Sequence, residues 1–379
     1  MKIIDVTCDY IIVPVTIPVR ETLRDFGVLL VTIETDNGLQ GIGLGRPYDS
    51  FGHSVRQVVL NDIAPFLKEK GEFVAPGHLW HEAAFEMPWS DYRVPEGVVA
   101  SAMGAVDQAL WDLWGEALGE PVYRLLGGSQ PEIEVYLTFG LSIYTPEEEA
   151  EAARRYREQG FRTFKLQGID DRGREINAAA ERVRALRETV GDDRAIILDG
   201  HNNYGVYHAI ELAKAVEPYG MAFFDEPLFA RDHLALQQLR QAVPRVPIAG
   251  RSRGGSLLDN RDLILGGALS VMGTNVLDQG GYTQGIKIAH LAEVHQLPLV
   301  TGGAWHLQNA HLIAAATNGW MTEYHTLAAA LSETIFVDPI KPKNSRLRLS
   351  DKPGLGLELD KAAVEEAIAR ARSAEKSGT

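Results

Sequence analysis

Cysteine is nearly absent: Cys8 is the only one in 379 residues. An intrachain disulfide and a cysteine metal cluster are therefore both excluded, and a reducing, cytoplasmic setting fits. Long apolar runs are missing too. The longest early one, YIIVPVTIPV, contains two prolines and is far short of a bilayer-spanning helix. It reads as an edge strand, and neither a signal peptide nor a membrane helix is recognisable. Positive charge is scarce, with 37 Lys and Arg against 51 Asp and Glu for a formal charge of −14. The basic residues are scattered rather than gathered into an arm or stripe, which speaks against nucleic acid and anionic membrane as partners. What is present is ordinary for a soluble globular protein of one large and one smaller domain: 45% hydrophobic, 23% charged, 37 Gly and 18 Pro.

From about residue 132 the chain repeats one unit: a short apolar run, a polar loop, then a helix-length segment with apolar residues three and four apart. The apolar runs are IEVYLTF, FRTFKL, AIILD, MAFFDEP, VPIAG, LSVMGTNVL, LPLVTGG and GWMTEY. One intervening segment, TPEEEAEAARRYREQG, opens with Thr145 before Pro146 and closes on Gly160, the start and stop chemistry of a helix. Eight strand-then-helix units predict an α/β fold built on a (β/α)8 TIM barrel, because each parallel pair needs a long crossover. A doubly wound open sheet would rarely use eight units, and no Gly-rich dinucleotide turn follows the first strand. Residues 1–125 read instead as an α+β capping domain, opening with strand-like IIDVTCDYIIVPV and GVLLVTIETDNGLQGIGLG around a DNG turn. The barrel is expected over 126–340. The segment 341–379 ends in a polar helix expected to return to the capping domain.

One stretch is out of character. VPIAGRSRGG runs from a buried-looking strand straight into Arg251 and Arg253. Catalytic groups of a TIM barrel collect at such strand ends, so cations there call for an explanation.

Several long segments carry a resemblance that supplies one: SAMGAVDQALWDLWGEALGEPVYRLLGG, DQGGYTQGIKIAHLAE, NAHLIAAATNGWMTEY and PGLGLELD, besides the barrel strands. Together they resemble the mandelate racemase and muconate-lactonizing branch of the enolase superfamily over essentially the whole chain. The resemblance implies that a base removes the proton α to a carboxylate while Mg²⁺, held by three carboxylates on successive strands, stabilises the enediolate. Asp199 and Glu226 match the first two ligands. Arg251 stands where the third should be. Lys165 matches one family lysine, whereas Gln167 replaces the usual base. Asn275 replaces an aspartate, and its partner histidine falls on Gly302 or Gly303. Glu323 matches a carboxylic acid placed beside the substrate in mandelate racemase.

His201 follows Asp199 by two residues, which in an extended strand end puts both side chains on one face. Some acid-sugar dehydratases carry a similar Asp-x-His with the histidine as acid/base; a histidine that only hydrogen-bonds a neighbour is the other reading. His311 resembles a structural family histidine, and His306 is a loop histidine with a weak claim to replace the lost one. Asp225, Asp278 and Tyr282 are polar residues near strand ends without a more specific role. Arg20, Thr22 and Arg24 fall in the loop that closes over the substrate in relatives, so Thr22 and Arg24 join Arg251, Arg253, Gln167 and Asn275 as candidate substrate-binding residues.

Two carboxylates with one guanidinium carry the same net charge as three carboxylates with one Mg²⁺. Arg251 is therefore expected to take the ion's place, paired with Asp199 and Glu226, in a metal-independent site. In the alternative, Arg251 points away and a two-ligand Mg²⁺ site is completed by water and substrate. The expected function is a lyase or isomerase of dehydratase, cycloisomerase or epimerase type. It would act on a small hydroxylated carboxylate such as an acid sugar through an enolate-like intermediate, with Lys165 and His201 transferring protons and Glu323 as acid. The competing expectation is a catalytically inactive barrel that binds an acidic metabolite. A homo-oligomer is expected in either case.

Overall fold

In the computed structural model, residues 1–45, 52–70, 72–73, 75–87, 95–140, 143–168 and 175–377 are described. Three strands, β1 (Ile3–Ile17), β2 (Thr22–Thr35) and β3 (Gln40–Gly45), form an antiparallel sheet in the order β1-β2-β3. YIIVPV lies in β1 at the sheet edge, where Pro14 removes no central ladder bond. The alternation QGIGLG in β3 leaves one face of the strand without side chains, and the helix Gly97–Leu118 lies directly on it. A Cβ on Gly43 would fall 2.0 Å from the Ala105 carbonyl oxygen, so the helix can come this close only against glycine.

The eight predicted apolar runs are the eight barrel strands: β4 (Glu132–Gly140), β5 (Thr163–Gln167), β6 (Ala195–Asp199), β7 (Met221–Asp225), β8 (Ile248–Gly250), β9 (Val271–Thr274), β10 (Leu299–Thr301) and β11 (Gly319–His325). All neighbours pair in parallel, and β11 pairs back to β4 to close the barrel. A last strand, β12 (Arg346–Arg348), adds to β4 antiparallel. The fold is thus an α/β barrel of eight parallel strands capped by an N-terminal antiparallel sheet domain. No helix among the described residues is long and apolar enough to cross a membrane.

Side chains within the barrel come in layers because strands alternate faces. Tyr136, Ile197, Phe223, Ala249, Val271, Val300 and Met321 form an apolar plug. Residues one position on, such as Leu137, Leu198, Phe224 and Met272, face the outer helices and join the main core. Two positions on from the plug, the inward row becomes polar: Thr138, Asp199, Asp225, Arg251 and Glu323.

The capping domain is tied to the barrel by the polar residues of the helix Gly97–Leu118. Asp107 accepts hydrogen bonds from the Thr283 backbone N–H and hydroxyl, and Asp112 accepts from the N–H groups of Ile42 and Leu355. The closing helix Lys361–Ser377 packs against β1, and Arg370 pairs with Asp25 at 2.8 Å.

Candidate active site

A cavity of about 350 Å³ opens at the carboxyl ends of the barrel strands, the end where this architecture gathers reactive groups. Lys165 rises into it from the apolar layer. In the strand ladder it pairs with Ile197, and its stem crosses the plug to bring Nζ up to the carboxylates above. Nζ lies 2.7 Å from Asp225 Oδ2, 3.0 Å from Asp199 Oδ2 and 3.4 Å from Glu323 Oε1. Burial alone would drive the ammonium pKa down. The three carboxylates outweigh that and hold it well above the ordinary lysine range. Lys165 is therefore a buried cation.

The carboxylates respond unequally. Burial raises Asp199, but Lys165 and His201 overcome it and keep its pKa well below the usual range. Asp225 is pushed up to about 6, by burial first and then by Asp199 and Glu226 at its side, against the pull of Lys165. Glu323 is buried, yet Lys165, His325 and the donors Thr138 Oγ1 and Ala304 N–H bring it down to about 2. Glu323, expected as an acid, is thus held towards its carboxylate form beside an ammonium held towards its protonated form.

On the other side, Glu226 is clasped by two arginines. Arg253 donates from Nε to Oε1 at 2.8 Å and from Nη2 to Oε2, while Arg251 Nε lies 3.4 Å from Oε1. Burial would raise Glu226, but the two guanidinium groups bring it to about 2. Arg251 is only 3% exposed, and its second partner is Asp278 at 3.0 Å. The expected pairing of Arg251 with Asp199 and Glu226 is thus half corrected: Glu226 is a partner, but the cation beside Asp199 is Lys165. Lys165 had already taken that position from the strand three places away.

The third carboxylate comes from Asp225, to which sequence reasoning gave no role. One oxygen from each of Asp199, Asp225 and Glu226 lies within 4.8 Å of the others, a grouping that a metal ion could share. Around this point the carboxylates of Asp199, Asp225, Glu226, Asp278 and Glu323 face the cations Lys165, Arg251 and Arg253. With all of them ionised, two negative charges remain unbalanced, the charge of one divalent cation. An all-oxygen donor set of this kind suits a hard ion such as Mg²⁺.

His201 lines the same cavity, with Nδ1 3.8 Å from Asp199 Oδ2. The backbone there is not extended as expected. His201 and Asn202 have φ of 52° and 60°, and the His201 N–H donates to Asp199 Oδ1 at 2.9 Å. A left-handed turn braced by Asp199, rather than strand alternation, brings the imidazole to the rim.

The remaining candidates divide. Gln167, Arg24 and Arg253 line the cavity. Thr22 does not: it is exposed at the start of β2, paired with Ile17. Arg20, in the β1–β2 turn, is bound to Glu148 at 2.9 Å. The expected closing loop is therefore a strand hairpin anchored to the barrel, and only its Arg24–Gly27 stretch faces the cavity. Asn275 is fully buried and committed to the backbone around it, accepting from Leu277 N–H and donating to the Gly303 carbonyl. His311 is a packed helix residue, accepting at Nδ1 from Tyr123 N–H. His306 is also buried, against the Tyr324 ring, and burial pushes its pKa down to about 3. Tyr282 donates to the Gln308 carbonyl.

Two cap residues were not foreseen. Phe26 of β2 stacks on Trp305, ring centroids 6.0 Å apart at 25°, closing the cavity from opposite domains. Trp305 ends a run of three left-handed residues, Gly303, Ala304 and Trp305, with φ of 80°, 71° and 66°. That run aims the Ala304 N–H at Glu323, the kind of strain that collects at working sites. A roomier hollow, about 770 Å³, lies between the β1–β3 sheet and the tail. Its buried carboxylate, Asp112, is already taken by backbone donors.

Comparison with known proteins bears on this geometry. Residues 3–127 match the mandelate racemase / muconate lactonizing enzyme N-terminal domain, and residues 147–363 match the enolase C-terminal domain-like family. The arabinonate dehydratase of Saccharolobus solfataricus is 30% identical over 350 residues, covering 89% of this chain and 90% of that protein. Among solved structures, the 3,6-anhydro-D-galactonate cycloisomerase of Zobellia galactanivorans is similar with a TM-score of 0.83 at 28% identity, covering 97% and 99% of the two chains. An L-talarate dehydratase from a Polaromonas species, complexed with Mg and L-glucarate, is similar with a TM-score of 0.83 at 26% identity, over 97% of each chain.

Proposed function

The chain belongs to the enolase superfamily, in its mandelate racemase/muconate-lactonizing branch, and we propose that within it the chain is a dehydratase or isomerase of a small polyhydroxy carboxylate, an acid sugar. The observation that carries this reading is the convergence of Asp199, Asp225 and Glu226 with a buried, protonated Lys165 in a cavity of about 350 Å³. That volume suits a substrate of a few carbons, and its polar lining suits hydroxyl groups. The similar dehydratases and the cycloisomerase support the same chemistry.

Asp199, Asp225 and Glu226 would hold Mg²⁺, which supplies Lewis-acid stabilisation where negative charge grows on the substrate carboxylate. Arg251 and Arg253 keep Glu226 ionised for that task and add positive potential on the same side. His201, at the rim beside Asp199, accepts the α-proton. Lys165 donates a proton to the departing hydroxyl, which leaves as water, or stabilises the oxyanion if no group departs. Glu323, held ionised by Ala304 and Thr138, accepts a hydrogen bond from a substrate hydroxyl and so orients the sugar chain. Phe26 and Trp305 exclude water from above.

The test is ¹H NMR of arabinonate, galactonate and glucarate incubated with the protein in D₂O, with Mg²⁺ and with EDTA. Deuterium exchange at the α-carbon or loss of water is expected with Mg²⁺. Absence of both across the series would reduce the protein to a binding barrel. Full turnover in EDTA would instead favour a site run by its own cations.

A further inference from the structure

We propose that Arg251 and the glycines Gly302–Gly303 form one device: the guanidinium fills the cavity wall where a side chain from the end of β10 would stand. It makes that wall a fixed cation and confines proton transfer to the opposite wall, so that the reaction runs on one face of the substrate. This rests on the dehydratase/isomerase reading for its chemical part and stands on packing alone for its structural part.

The packing is specific. Arg251 follows β8, the fifth barrel strand, and Ala249 two residues earlier belongs to the inner plug, so the arginine points inward. Its head spans from Glu226 at 3.4 Å to Asp278 at 3.0 Å. In doing so it passes over the end of β10, the seventh strand. A Cβ on Gly303 would fall 2.8 Å from Arg251 Nη2 and 2.6 Å from Asn275 Nδ2, at a φ of 80°. A Cβ on Gly302 would have more room, 3.7 Å from Arg251 Nε and 3.3 Å from the Tyr136 hydroxyl oxygen. A methyl at 302 meets the guanidinium only at ordinary contact distance, whereas one at 303 is too close. The arginine and the bare β10 end are therefore two halves of one arrangement, and neither is intelligible alone.

The chemical consequence follows from what a guanidinium cannot do. It has donors only and stays charged, so it attracts a carboxylate but never takes up a proton. Lys165 and His201 stand at the ends of β5 and β6, the second and third barrel strands, across the ring. When the substrate α C–H bond breaks, its electron pair passes into the enolate and the proton goes to that wall. A solvent proton returned to the α-carbon comes back from the same wall and to the same face. Arg251 is thus a positioning residue that sets stereochemistry.

Two measurements test this. In a double-mutant cycle, the fall in thermal midpoint caused by Gly303→Ala is compared in the wild-type protein and in Arg251→Ala. The fall should be at least halved once the guanidinium is gone, leaving the strain at φ and the Asn275 contact. Gly302→Ala should lower the midpoint less than Gly303→Ala. Equal falls in both backgrounds would overturn the packing claim, and Arg251→Met serves the same comparison if Arg251→Ala does not fold. In D₂O with Mg²⁺, the wild-type protein should place deuterium at the α-carbon of glucarate, galactonate or arabinonate with configuration retained. Appearance of the α-epimer would overturn the one-face claim. Lack of both exchange and water loss in every acid sugar would defeat the proposed function, with the double-mutant cycle still deciding whether Arg251 and Gly303 form one unit.

Discussion

Asp225 and Glu226 are neighbours in the chain, yet both carboxylates reach the same buried cluster. In a regular strand they would face opposite sides of the sheet. Asp225 follows the inward Phe223, whereas Glu226 should follow the outward Phe224; instead Glu226 has a φ of 45°, which turns it back into the barrel. A non-glycine residue in that region costs on the order of 1–3 kcal/mol. The clasp of Arg251 and Arg253 on Glu226 offsets that strain, and the strain in turn lets one strand end supply two of the three clustered carboxylates.

Lys165 is the counter-charge for the other half of the cluster, so Lys165→Met should cost about 3–5 kcal/mol, the usual result of leaving buried charges unpaired. Urea unfolding measures it. The loss should be smaller with millimolar Mg²⁺ than with EDTA, because the variant leaves one more negative charge for the ion to balance. A variant as stable as the parent in EDTA would show that the ammonium is not what holds these carboxylates.

The Phe26–Trp305 stack predicts a binding effect rather than a chemical one. Aromatic pairs contribute about 0.5–1.5 kcal/mol beyond area burial, so Phe26→Ala should raise KM for an acid sugar by roughly two- to tenfold and leave kcat within about twofold. A change confined to kcat would mean that the cap positions reacting groups instead of retaining the substrate.

The barrel was legible because short apolar runs alternating with helix-length segments are a local signal, and every one of the eight became a strand. Asp199, Glu226, Arg251 and Lys165 were singled out by the family resemblance, and all four line the cavity. Partnership was not legible. That Lys165 reaches Asp199 depends on a stem crossing the plug layer, and that Arg251 reaches Asp278 depends on the missing side chains at Gly302 and Gly303. Asp225 went unrecognised because the backbone twist at Glu226 defeats the alternation that sorts strand residues into faces. The cap escaped for another reason: Phe26 and Trp305 meet across domains, 279 positions apart, and no local pattern announces such a pair.

Buried histidines give a pH signature of known sign. Burial pushes His306 down to about 3 and His311 to about 4, from an ordinary 6.5. Their stabilising contribution is complete above pH 6.5, where both forms of the chain are neutral at these rings. It is lost as the pH falls towards the folded values, because the unfolded chain takes up the protons first. Each ring withdraws about 1.4 kcal/mol per pH unit in that window. Asp107 and Asp112, raised by burial to about 7, slope the opposite way, so the whole-protein curve is not diagnostic. The difference curve is. His306 Nδ1 has no hydrogen-bond partner among the described residues, so His306→Phe should fold, and between about pH 6.5 and pH 5 it should gain about 2 kcal/mol on the parent. Parallel stability curves would mean that His306 is hydrated rather than buried.

The sharpest division concerns which carboxylates hold an ion. If Asp225 is the third ligand, Asp225→Asn removes a charged donor while its amide oxygen can still accept from Lys165, so the cluster should survive without its metal affinity. Titration of the EDTA-treated protein with Mn²⁺, followed by electron paramagnetic resonance, should show affinity reduced at least tenfold, about the least expected when even a ligand's supporting partner is lost. Asp278 is equally buried and acidic but is bound by Arg251 on the far side of Glu226. Asp278→Asn should therefore leave Mn²⁺ affinity within about threefold of the parent, the guanidinium losing one partner and keeping the other. The reverse ranking would mean that Arg251 swings aside when the ion binds, freeing Asp278 to complete the site from the sixth strand and returning Asp225 to the role of a counter-ion for Lys165.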